Sequence, residues 1–130
     1  MANSVDASMK ALRQALLRLH KTLLDWERAA YERTHGRQSS NALLDALLKD
    51  PHFAWLRPLS QLIVRIDEML ADKIPPGEAD LEAIVAHVRD LTAPNETGTP
   101  YEQRYFKALQ ENPDAVFAHR DVVTLLKKAQ

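Results

Sequence analysis

Val5, Met9, Leu12, Leu16, Leu19, Leu23, Trp26 and Ala30 recur at alternating steps of four and three residues without a slip. That spacing lays one apolar seam along an α-helix, with Met9, Leu16, Leu23 and Ala30 at one heptad position and Val5, Leu12, Leu19 and Trp26 at the other. Leu17, Leu24 and Tyr31 add a second stripe beside it. The apolar face is broader than a two-stranded coiled coil needs and suits a helix packed inside a bundle. Gly36, just after His35, is the natural stop. The pattern therefore predicts a helix over 4–35, about 48 Å long at 1.5 Å per residue.

Shorter segments follow. Ser39 or Ser40 can cap a helix from Asn41 to Lys49 in which Leu43, Leu44, Leu47 and Leu48 pair at helical spacing. Asp50-Pro51 reads as a cap followed by proline at the first helical position, which restarts the helix. Pro58 predicts a kink or a short link around Trp55-Leu56-Arg57, because mid-helix its ring would clash with the carbonyl of Ala54. From Leu59 to Leu70 the helical pattern resumes with a wide apolar face. Ile74-Pro75-Pro76-Gly77 is a loop, and Leu81, Ile84, Val85, Val88 and Leu91 then define a helix over 78–92. A second loop covers Thr92 to Thr99. Thr99-Pro100-Tyr101-Glu102 is a capping box opening a short helix to Gln110, and Asn112-Pro113-Asp114 caps a last helix that closes on Lys127 and Lys128.

No strand-like alternation competes with these helices, so the fold class is all-α. Segments 40–73 and 100–129, each broken by proline and joined end to end, would match the first helix in span. The expected architecture is a single domain over 1–130, an elongated up-and-down four-helix bundle with proline-broken second and fourth segments. A sphere of this mass is only about 36 Å across, from a radius of gyration near 14 Å. The first helix cannot hide on it. Breaks in the covering layer would leave part of its apolar stripes bare, and a second copy in two-fold symmetry would cover them. On that reading the chain forms a homodimer with Leu17, Leu24 or Tyr31 at the interface.

Composition narrows the chemistry. The 130 residues are 45% apolar and 27% charged, with 17 basic residues against 18 acidic ones, so no global field favours nucleic acid or an anionic membrane. The absence of cysteine removes disulfides, thiolate nucleophiles, thiolate zinc sites and iron–sulfur clusters. No run approaches the roughly 18 apolar residues of a membrane span, and no secretory signal opens the chain. The default location is cytoplasmic. Local charge is uneven: the first helix is rich in Lys and Arg, whereas 72–96 carries six acids against Lys73 and Arg89.

The search for chemistry yields no catalytic residue, metal site or cofactor. A di-metal carboxylate bundle needs two Glu-x-x-His pairs. Glu32-x-x-His35 is the sole one in the sequence, and the heptad register turns it outward. Glu27 with Glu32, and Asp67-Glu68, read as solvated helix faces. No serine stands in a nucleophile elbow, and three glycines do not make a phosphate loop. His20 reads as a boundary residue. His119 lies three residues after Val116 and four before Val123, which puts it on the expected apolar face of the last helix. Trp55 and Arg57, beside Phe53 at the kink, and Tyr101 and Tyr105, beside Phe106, read first as core that caps the bundle end and second as binding hot spots.

The leading reading is a non-enzymatic helical interaction or adaptor protein, acting as a homodimer or docking a helical partner, with Trp55, Arg57, Tyr101, Tyr105 and His119 as candidate binding residues. The alternatives are a regulatory bundle that holds a small molecule between helices near His119 and the tyrosines, and an enzyme without a recognisable motif. Nucleic acid and membrane are not expected partners.

Overall fold

The computed structural model describes residues 2–129. Among them seven helices follow one another: α1 (Ala2–His35), α2 (Ser40–Lys49), α3 (Pro51–Ala54), α4 (Arg57–Ala71), α5 (Glu78–Leu91), α6 (Pro100–Glu111) and α7 (Pro113–Lys128). No described residue is in a strand. No helix among the described residues is long and apolar enough to cross a membrane.

The boundaries come from local hydrogen-bond chemistry. Gly36 takes φ of 79°, a left-handed conformation that glycine adopts without penalty, and its N–H donates to the carbonyl of Glu32 at 2.9 Å. Ser39 caps α2 by accepting from the N–H of Ala42. Asp50 serves two helices: its N–H closes α2 on the carbonyl of Ala46, and its carboxylate accepts from His52 N–H to open α3. Asn112 does the same between α6 and α7, with Ala108 behind it and Asp114 ahead. A proline follows each of these hinge residues at a position where its missing N–H costs no intrahelical bond. Thr99 and Glu102 complete a reciprocal capping box at the start of α6.

The core forms along α1. Val5, Met9, Leu12, Leu16, Leu19 and Leu23 are buried with Leu59, Leu62 and Ile66 of α4, Ile84 and Val88 of α5, and Ala115, Ala118 and Val122 of α7. The small side chains of α7 let its backbone approach closely. Arg13 pairs with Asp67, while His52 and Trp55 reach Glu27, so α1 and α4 run antiparallel. Arg18 pairs with Asp121, and Ala7 and Ser8 share a groove with Lys128 and Ala129, so α7 is antiparallel to α1 as well. A smaller cluster of Tyr31, Ala46 and Phe53 closes the far end of α1 beneath α2 and α3.

Three expectations are corrected here. The seam does not end on Trp26 and Ala30, which are half-buried; Glu27 and Tyr31 take the buried positions instead. An α-helix advances 100° per residue, so a strict heptad drifts by about 20° each repeat. By the fourth repeat Trp26 lies about 60° to one side of the mean seam direction and Glu27 about 40° to the other. Second, segment 100–129 is not one rod. Placed end to end, Tyr105 and His119 would lie about 21 Å apart, yet Tyr105 Oη lies 2.6 Å from His119 Nδ1. α6 folds back on α7 about the Asn112 hinge. Third, no long bare stripe runs along α1. Tyr31 is buried, Leu24 packs partly buried against both clusters, and of the three residues expected at an interface Leu17 alone is exposed, at 37%.

Candidate functional site

The least expected feature is Glu27, whose side chain is 0% exposed. An isolated carboxylate at such a position would be prohibitively costly. This one is fully engaged. Arg104 of α6 grips it in a two-pronged fashion, Nη2 to Oε1 at 2.5 Å and Nε to Oε2 at 3.2 Å. Trp55, in the turn between α3 and α4, donates its indole N–H to Oε2 at 2.5 Å. His52 of α3 places Nε2 3.1 Å from the backbone carbonyl of Glu27 and 3.5 Å from Oε1. The Arg104 guanidinium also lies 4.8 Å from the ring centre of Trp26, a cation–π arrangement. The reading of Glu27 as solvated is therefore wrong. Its carboxylate ties α1, α3, the α3–α4 turn and α6 together.

A ring system continues from this cluster. Trp55 contacts Tyr101 with ring centres 5.6 Å apart, Tyr101 stacks on Tyr105 at 6.1 Å, and Tyr105 meets His119 at 5.5 Å. Tyr101 donates its hydroxyl proton to the carbonyl of Leu91 at 2.8 Å and so satisfies the C-terminal end of α5. Burial holds both phenols well above the ordinary tyrosine range, and proximity to Tyr101 adds to the effect on Tyr105. Burial pushes the His119 imidazole down. The Tyr105 hydroxyl keeps its proton and lies 2.6 Å from His119 Nδ1, where it donates when the neutral imidazole carries its own proton on Nε2.

The structure thus brings together four of the five candidate binding residues, Trp55, Tyr101, Tyr105 and His119, as a chain of rings in which Tyr105 is buried and the other three are half-buried. Arg57 stands apart. It is exposed, and its Nη2 donates to the carbonyl of Leu48 at 2.7 Å, capping the C-terminus of α2. The expected apolar face of α7 is also displaced: Ala115, Ala118, Val122 and Leu126 are buried, whereas Val116 is exposed and Val123 half-buried. His119 sits at the edge of that face.

No buried side-chain polar atom among the described residues lacks a hydrogen-bond partner, and no group of three or more metal-ligating side chains converges among them. The Glu27 carboxylate itself is taken up by Arg104, Trp55 and His52. α2, by contrast, turns Leu43, Ala46 and Leu47 inward and leaves Leu44 57% and Leu48 65% exposed. These two leucines stand one helical turn apart on one face. They belong to a short helix joined to α1 by the link 36–39 and braced by Arg57. Sequence reading saw all four leucines but could not divide them, because the arc they span, about 140° at 100° per residue, exceeds the side that α2 packs against. Compared with family models, with curated proteins and with solved structures, the chain matches none.

Proposed function

We propose that this chain is a helical interaction module that docks through the exposed leucine face of α2, with a second copy or another helical protein as its partner. The observation that carries the reading is the outward pair Leu44 and Leu48, an apolar ridge on a helix whose other side is already packed. In this reading α1, the broken segment α2–α4, α5 and the hairpin α6–α7 are the four members of a bundle, and α2 is the part presented to the partner. The Glu27 cluster gives the module its rigidity. A fully satisfied polar network that joins remote segments fixes their register more than it adds to stability.

The small-molecule reading draws less support. The space between Tyr105 and His119 is filled by their own rings and hydrogen bond, and a ligand site needs a concave, largely enclosed volume.

The test is a double substitution, Leu44→Glu with Leu48→Glu, examined by sedimentation at high micromolar concentration and by capture of helical partners. The expected outcome is a chain that melts within a few degrees of the parent but has lost association, since exposed positions away from the core contribute little to stability. Unchanged association in a folded double variant refutes α2 as the docking element.

A further inference from the structure

A second surface differs in character from α2. Between α1 and α7 runs an open groove of about 630 Å³. Trp26 lines it from α1 and Phe117 from α7, and Phe117 is 62% exposed. A phenylalanine so bare in mid-helix, beside the exposed Val116, is an apolar surface with no occupant in the chain. Four carboxylates and two cations share the groove. Both cations are engaged, Arg18 with Asp121 at 3.3 Å and Lys21 with Asp25 at 3.2 Å. Of the other two acids, Glu111 has a distant partner in Lys107 at 3.9 Å, and Asp114 makes no ion pair among the described residues. The lining therefore carries a surplus of negative charge next to exposed aromatic surface.

We infer that the α1–α7 groove docks a basic amphipathic helix of a protein partner, which sets a Lys or Arg against Asp114 and Glu111 and lays apolar side chains on Phe117. The geometry suits a helix. Two antiparallel helices present parallel ridges, and a third helix packs in the furrow between them. Along α1 the lining extends from Arg18 to Trp26, about 12 Å or two turns, which matches an i, i+3, i+4, i+7 set of anchors. The inference stands on different residues from those of α2 and does not depend on that surface.

The probe is a fluorescein-labelled Leu/Lys amphipathic peptide of about three helical turns, titrated with the full chain and followed by anisotropy. A Leu/Glu peptide with the same apolar face serves as control. The expected result is saturable binding of the Leu/Lys peptide that weakens with added salt, and no saturation by the Leu/Glu peptide. Phe117→Ser and Asp114→Asn should each weaken binding by roughly tenfold while the circular dichroism spectrum is retained, and the Leu44→Glu, Leu48→Glu chain should bind as the parent does. Failure of the Leu/Lys peptide to saturate overturns the inference. So does equal affinity for both peptides, or parental affinity in Phe117→Ser. If the unmodified chain instead self-associates and Phe117→Ser abolishes that association, the occupant is a second copy and the basic partner is refuted.

Discussion

A carboxylate with no exposure and an arginine from seventy-seven residues further along the chain define what a single substitution can do here. Arg104→Met removes the countercharge and leaves the Glu27 carboxyl buried with Trp55 and His52 alone as partners. Breaking a buried pair in this way typically costs about 3–5 kcal/mol. Adding Glu27→Gln in the same background should recover much of that loss, because the amide oxygen still accepts from the Trp55 indole and no net charge is then buried. Urea denaturation of the parent, the single and the double variant measures both steps. An Arg104→Met chain within about 1 kcal/mol of the parent would show that the pair carries no such weight. His119 offers a second test. Burial holds His119 and His20 below the ordinary imidazole range. As the pH falls through about 6.5 the unfolded chain takes up protons that the folded chain resists. The unfolded state then binds more protons, so stability rises with pH. It is full above the ordinary imidazole value, declines as the pH drops toward the depressed folded values, and levels off below them. The melting temperature should therefore fall between about pH 7.5 and pH 5.5, and His119→Gln, which accepts from Tyr105 without titrating, should flatten that slope. A slope as steep in the variant removes His119 from the account. Little of this was legible in the sequence. Glu27 was hidden because apolar Trp26 occupied the neighbouring seam position, and its partners lie on helices that only tertiary structure brings near.

Elements were far more legible than residues. Gly36, Ser39, Asp50, Thr99 and Asn112 punctuate the chain through hydrogen bonds made within a few residues, so local sequence alone locates the helix ends. Relations between elements do not work that way. Whether α6 continues the axis of α7 or folds back depends on the hinge at Asn112 and on where the tyrosines find cover, and the periodicity of each helix is the same in either case. The same limit applies to α2, whose packed side is chosen by Tyr31 and Phe53. α2 rests on a small satellite cluster rather than on the main core, and helices with few buried apolar contacts open locally before the rest of the fold. In hydrogen exchange its amides should lose protection well before those of Met9 to Leu23 in α1. Arg57→Ala, which frees the Leu48 carbonyl, should hasten exchange in α2 and leave α1 unaltered. Equal protection of α1 and α2 in the parent would mean that α2 opens only with global unfolding.

For the molecule as a whole, α1 sets the scale. Its 34 residues extend about 51 Å at 1.5 Å per residue, and its cations are largely spent along that length: Lys10, Arg13, Arg18, Lys21 and Arg28 each face an acid on α1 itself, α4 or α7. The unevenness of charge seen in the sequence is thereby mostly neutralised over α1, and exposed pairs of this kind add little to stability. Small-angle scattering should report a maximum dimension above about 50 Å, beyond the roughly 36 Å of a sphere of this mass. A value near the latter would rule out an unbroken α1.

The antiparallel pairing of α1 with α7 also has a consequence in time. α7 begins at Pro113, whereas α1 ends at His35, so a ribosome adding about 5–20 residues per second needs roughly 4–16 s to make the intervening chain. During that interval Leu12, Leu16 and Leu19 can be covered by α4 and α5 but not by α7. The nascent chain thus passes through a half-built state of α1, α4 and α5 whose remaining sticky flank is sealed only when α7 emerges. Stalled chains ending after Leu91 should be cut by protease within α1 and should recruit holdase chaperones, and both susceptibilities should vanish once α7 clears the exit tunnel.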